Sequence, residues 1–235
     1  MPLHQDSSQW SNEAAAAIPP AEMTLDELRD TFGDILPAHA AFDGWSTAAL
    51  QSAAQQLGIP EERAGLVFPG GATDMIDAWI ESADRRMIAE MESRGVTTMK
   101  VRERIRTAIW VRLQQAAPHR EAVRRAVAVL AMPQNAAMAA RTLWRTSDAI
   151  WRAAGDVSSD FSHYSRRMTL GGVYSATLLF WLNDDSEDMA ESAAFLDRRI
   201  EDVMRIERTK AQWRAGSQRR PSLLRLLGRL RYPTV

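Results

Sequence analysis

Apolar residues recur at spacings of three and four along most of this chain, and nowhere do they alternate with polar ones. That periodicity predicts helices and no strands. Thr24-x-x-Glu27 forms a capping box that opens a first helix, expected to run to about Phe32. Leu50, Ala53, Ala54 and Leu57 mark a second helix stopped by Gly58, and Pro60 suits the first position of a short third one ending before Phe68-Pro69-Gly70-Gly71. Met75, Ile76, Trp79, Ile80, Ala83 and Met87 share the next face, which Gly95 ends. Val101, Ile105, Ala108, Ile109 and Leu113 repeat it up to Pro118. Further helices are expected over about 123–130, 134–154 and 160–182. Asp185 and Ser186 are expected to cap a long last one carrying Met189, Ala193, Leu196, Ile200 and Val203.

This order divides the chain into a tail over 1–21, a helix-turn-helix region over 22–70, a larger helical region over 71–213, and a terminal segment over 214–235. The tail mixes Ser, Gln, Ala and Pro without periodicity and is expected to be disordered. The helix-turn-helix is degenerate in chemistry. Its reader, Pro60-Glu-Glu-Arg-Ala-Gly-Leu66, opens with two acids and offers one Arg, where duplex binding favours Arg, Asn, Gln and flanking Lys. No nucleic-acid partner is expected.

The 235 residues carry a net charge of -1, which changes the picture little as a total and much in its placement. Every charged side chain from Lys210 onward is basic. Within that stretch Leu223, Leu226, Leu227 and Leu230 fall on one helical face, with Arg225 and Arg229 opposite. After Ala215-Gly-Ser-Gln218, read as a flexible linker, this is an amphipathic helix suited to an anionic membrane surface. The alternative is a helix docking on its own domain or on a partner. No stretch reaches the ~20 apolar residues of a spanning helix, and no secretory leader is apparent. With no cysteine, a reducing compartment is the default. The expected location is cytoplasmic, peripheral to the inner membrane.

Met168 to Leu182 is apolar nearly all round and must be enclosed. Gly171, Gly172 and Ser175 let a neighbour come close, while Met168, Leu178 and Leu179 supply apolar surface. The segment reads as a central core helix, or as the wall of an apolar cavity or two-fold interface. The acids Asp184 to Asp188 suit a helix start rather than a metal. None of the four histidines falls in a His-x-x-x-His or Glu-x-x-His pattern, and there is no nucleophile elbow, phosphate loop or dinucleotide fingerprint. No catalytic residue, metal or cofactor is expected.

Trp151-Arg-Ala-Ala-Gly-Asp156, then Ser-Ser-Asp-Phe161, Tyr164-x-Arg-Arg167, Gly172-Val-Tyr174 and Phe195-Leu-x-x-Arg-Ile200 together resemble the core of the ninth coenzyme-Q biosynthesis protein family. Met132-Pro-Gln-Asn135, Lys100-Val-Arg-x-Arg104 and Phe68-Pro-Gly-Gly71 add to the resemblance. The resemblance implies an all-α, TetR-like fold, a homodimer, and a cavity for isoprenoid quinone intermediates or phospholipid. It also implies a C-terminal membrane helix and presentation of the intermediate to a ubiquinone-biosynthesis hydroxylase. Arg167 would be the lipid-headgroup arginine, and Ile150, Trp151, Asp160, His163 and Tyr164 the partner-facing patch, with His163 where the family often has Trp. The alternative on the same fold is a TetR-type ligand-responsive transcriptional regulator.

Overall fold

A computed structural model describes residues 19–156 and 161–218, which contain helices and no strand. The α-helices are α1 (Leu25–Asp43), α2 (Thr47–Leu57), α3 (Glu61–Val67), α4 (Ala72–Ser93), α5 (Val101–Ala116), α6 (Arg120–Leu130), α7 (Ala136–Ala153), α8 (Phe161–Trp181) and α9 (Ala190–Gln218), with short 3-10 turns between several. The Thr24–Glu27 capping box opens α1 as the sequence predicts. The tail before Pro19, Asp160 and the amphipathic segment after Gln218 lie outside the described residues.

Three boundaries differ from expectation. α1 does not stop near Phe32 but runs through Pro37 to Asp43. A helix-interior proline costs about 3 kcal/mol. Here Leu28, Phe32, Leu36 and Ala40, four apart, form a fully buried stripe. Each large member contributes about 1.5–3 kcal/mol, so burial wins.

The Ala215–Gln218 linker is instead the end of α9. One Gly costs only about 1 kcal/mol of helix propensity, too little to stop a helix already propagating. At the other end of α9, Ser186 caps as expected, its hydroxyl oxygen accepting from the Glu191 amide at 3.1 Å, but the aspartate beside it is Asp184 rather than Asp185. Its Oδ1 accepts from the Ser186 amide (2.9 Å) and hydroxyl, and its Oδ2 from the Ser192 amide (2.7 Å) and hydroxyl. Burial works against its charge, but these four donors prevail and lower the carboxyl to about 2.

The helix-turn-helix region is continuous with the rest through a single hydrophobic cluster. α1 packs along α4 so closely that a Cβ on Gly33 would lie 2.7 Å from the Ala78 carbonyl oxygen. Trp45 stacks obliquely on Trp79 with centroids 5.4 Å apart, and its indole N–H donates to the Ala122 carbonyl at 3.0 Å. α6 in turn holds the end of α8: Arg120 and Arg124 donate to the carbonyls of Asp184 (2.6 Å) and Leu182 (2.8 Å).

Candidate functional site

Helices α4 to α8 enclose a cavity of about 290 Å³. Its wall is mainly apolar: Trp79 and Ile80 from α4, Leu113 from α5, Val123 and Leu130 from α6, Leu143 from α7 and Leu178 from α8. The wall residues come from positions three and four apart on each helix, the inward face of five amphipathic elements. Ala131 and Leu179 on the wall are exposed, Leu179 at 52%, which places the mouth between the end of α6 and the C-terminal half of α8.

Part of the wall is polar. Arg112, buried, donates through Nε to the Tyr174 hydroxyl at 2.9 Å and through Nη1 to Asp84. Thr146 donates to the second Asp84 oxygen at 3.1 Å. Burial pushes the Asp84 carboxyl up, opposed by Arg112, the Thr146 hydrogen bond and Arg145. The pair stays satisfied because every charged oxygen has a donor. Gln115 lies one helical turn along α5 from Arg112, also on the wall.

These polar groups were not singled out in the sequence. The signal was present: Arg112 interrupts the face of Ala108, Ile109 and Leu113, and Asp84 follows Ile80 and Ala83 toward Met87. A charge on an otherwise apolar face is the mark of a buried pair or a ligand contact.

The candidates on α8 separate. Ser175, Leu178 and Leu179 line the cavity. Gly171 does not; a Cβ there would meet Ser147 Oγ at 3.2 Å and Leu143 Cγ at 3.4 Å, so its smallness serves the close approach of α7 and α8. Met168, 71% exposed, and Gly172, also exposed, lie away from the cavity, because it reaches only the half of α8 from Tyr174 onward. Arg167 is 2% exposed and also outside it. Its Nε donates to Asp148 at 2.7 Å and its Nη1 to Asp156 at 3.3 Å and the His163 carbonyl at 3.2 Å, which ties α8 to α7.

The partner-facing candidates separate too. Ile150 is wholly buried in the core and presents nothing outward. Trp151 is half-buried, with the Arg166 guanidinium over its ring at 5.9 Å. His163 and Tyr164 join Trp144, which sequence reasoning did not select, in one aromatic group: Trp144 stacks on Tyr164 at 5.7 Å, and His163 meets Tyr164 edge-on at 5.3 Å. Tyr164 is 59% exposed. Among the described residues no cluster of three His, Cys, Asp or Glu side chains is arranged to hold a metal.

The sequence pattern of the COQ9 family matches residues 136–207, the stretch that carries α7, α8, the aromatic group and the Arg167 clamp. The rat mitochondrial ubiquinone biosynthesis protein COQ9 is 31% identical over 186 residues, covering 76% of this chain and 58% of that protein. The human protein of the same name is 30% identical over 186 residues, covering 76% of this chain and 57% of its own length. The chain belongs to the COQ9 family. The COQ9 fold is shared with a TetR transcriptional regulator from Nitrosomonas europaea: TM-score 0.60, 28% identity, 75% of this chain and 97% of that one. Among the described residues of this COQ9 homologue no helix is long and apolar enough to cross a membrane.

Proposed function

We propose that this COQ9 homologue is a non-catalytic, membrane-associated accessory protein of ubiquinone biosynthesis that holds a polyprenylated quinone intermediate and presents it to a hydroxylase. The observation that carries the reading is the cavity: an apolar wall with one polar side and a mouth beside α8. That is the polarity of an amphiphile with an aromatic head. Its volume of about 290 Å³ sits at the lower edge of the ~300–1,000 Å³ of small-molecule pockets. A tail of many isoprene units therefore extends through the mouth, past Leu179. The aromatic group of exposed Tyr164 and half-buried Trp144 and His163, with Trp151 nearby in sequence, supports a hydroxylase-docking surface on the α7–α8 side. Exposed Leu179, Met204 and Ile206 supply apolar surface for a homodimer.

The test is organic extraction of the purified protein followed by mass spectrometry. An isoprenoid quinone or its precursor is expected from the wild type. It should be lost from Leu178→Trp, which fills the wall. A wild type that yields no isoprenoid under gentle purification removes the reading. Membrane attachment rests on residues 222–231: Leu226→Glu with Leu227→Glu should release the protein from anionic liposomes, and undiminished co-sedimentation would transfer that segment to a protein partner.

The TetR-type regulator reading draws support from the Nitrosomonas europaea fold match. Against it stands the reader, whose Arg63 donates to the carbonyls of Ala21 and Met23 while Glu61 accepts from Gln51 at 2.8 Å. Saturable, sequence-preferring duplex binding in a low-salt gel shift would restore it.

A further inference from the structure

The chain carries no charge over residues 126–140, between Arg125 and Arg141, where α6 ends, the chain turns and α7 begins. Charged residues make up 25% of the whole sequence, so about four would be usual in a surface stretch of this length. The stretch is at the surface: Ala131, Pro133, Ala136 and Ala137 are exposed, Met132 is 44% exposed, and Val129 and Leu130 are half-buried just before it. Its two polar side chains turn onto the corner itself. Asn135 Nδ2 donates to the Val129 carbonyl at 2.8 Å, and Gln134 Nε2 to the Met132 sulfur at 3.4 Å. The amides of Ala131, Met132 and Asn135 donate to the carbonyls of Val127 (2.9 Å), Val129 (3.2 Å) and Met132 (2.9 Å). A segment whose donors are already engaged leaves water at small cost.

The corner is also one lip of the cavity. Val127, Leu130, Ala131 and Ala139 belong to the wall, and exposed Leu179 marks the other lip. Charge is graded around it. Arg124, Arg125 and Arg141 border the stretch, and one carboxylate, Glu121, pairs with the first two at 3.3 and 3.1 Å. The exposed acids Asp185, Glu187 and Asp188 lie toward the other end of α6, where Arg120 reaches Asp185 at 3.9 Å. The 11 residues of α6 put about 16 Å between that end and the corner. Protein interfaces are built around large central anchors such as Trp, Tyr or Arg, and the corner has none. An uncharged centre with arginines at its border suits an anionic lipid interface, where the long side chains reach the headgroups.

Resting on the membrane-associated reading, we infer that the α6–α7 corner enters the interface of an anionic leaflet and opens the cavity mouth onto the bilayer. A guest then passes between lipid and cavity without crossing water. Alanines bury little apolar area, so the corner is a weak anchor by itself. Its effect is orientation: it sets which face of a protein already held at the membrane turns toward the lipid. Tyr164 stands about 22 Å from Leu179 along α8, so the aromatic group and the mouth do not compete for one surface.

The chain has no cysteine, so Met132→Cys and, separately, Asp185→Cys each give the full-length protein one site for a nitrobenzoxadiazole label. The vesicles are phosphatidylcholine containing about one-third phosphatidylglycerol. Co-sedimentation reads binding, and quenching by acyl-chain doxyl lipid reads depth. The label at 132 should shift to the blue and be quenched; the label at 185 should do neither. Unlabelled Met132→Asp should keep the wild-type urea midpoint and bind these vesicles about fivefold more weakly. An aqueous label at 132 on co-sedimenting protein, equal quenching at both positions, or wild-type affinity in Met132→Asp overturns the inference and leaves the membrane-associated reading standing. A label at 132 that is already blue-shifted without vesicles assigns the corner to a contact between protein chains, and overturns it as well. Failure of the wild type to co-sediment overturns both.

Discussion

The α1–α3 region and the α4–α8 region carry arginines to opposite ends. In the first, Arg63 is where a duplex-binding helix would hold a base-reading side chain, and it is tied instead to the carbonyls of Ala21 and Met23. Glu61 and Glu62 stay on the exposed side of the same helix. In the second, Arg112 is buried on the wall of a cavity, neutralised by Asp84 and hydrogen-bonded to Tyr174. One region keeps the shape of a DNA reader and closes its cation on its own backbone. The other turns its polarity inward, toward its own cavity. A fold does not fix a function; the chemistry placed on it does.

Breaking the inner pair should have the largest effect. Arg112→Met leaves Asp84 buried without its main partner, and such a loss costs about 3–5 kcal/mol. Urea unfolding should show a midpoint shift of that size with an unchanged slope. Adding Asp84→Leu should restore most of it, since the second change removes the stranded charge. Arg63→Met, by contrast, should cost no more than about 1–2 kcal/mol, because its hydrogen bonds lie at a half-exposed surface. Equal costs at the two sites would erase the distinction between the regions.

The contact between the regions gives the next effect. Ala is the better helix former by about 1 kcal/mol, so Gly33→Ala should stabilise α1 considered alone. In the folded protein the new Cβ would lie 2.7 Å from the Ala78 carbonyl oxygen, a backbone atom that cannot swing aside. Overpacking of this kind costs about 1–3 kcal/mol, and the net expectation is a loss on the order of 1 kcal/mol in urea unfolding. A gain would mean that α1 and α4 separate readily, and that the reader region is not braced against the cavity.

Most of the fold was legible because the apolar spacing of α4, α5, α8 and α9 is local and regular. The end of α1 was not legible, since a proline such as Pro37 ordinarily stops a helix, and only the stripe of Leu28, Phe32, Leu36 and Ala40 against α4 shows why this one continues. Ala215–Gln218 misled for the related reason that small residues look like a linker whatever precedes them. At the site, the α8 wall was half legible: Ser175, Leu178 and Leu179 face the cavity, while Met168 and Gly172 share the apolar composition but lie beyond its reach. The polar wall was not legible, since Asp84, Arg112, Thr146 and Tyr174 meet only when four helices that are distant in sequence pack together.

The remaining effect depends on pH and concerns the joint where α8 hands over to α9. Asp184 is held ionised down to about 2 by the donors of Ser186 and Ser192, below the usual 3.8 of an aspartate. A carboxyl with a depressed native pKa stabilises the fold fully at pH values above the unfolded one. That contribution fades as pH falls from near 4 through about 2, where both states are protonated. Asp184→Asn keeps one accepting oxygen for Ser186 but sets an NH₂ toward the Ser192 amide, so it should cost about 1–2 kcal/mol at neutral pH. It should also flatten the acid limb, so that wild type and variant converge as pH drops below 4. Urea midpoints measured at pH 7, 4 and 2.5 check both parts. Curves that stay parallel across that window would mean that the cap holds α9 by geometry alone.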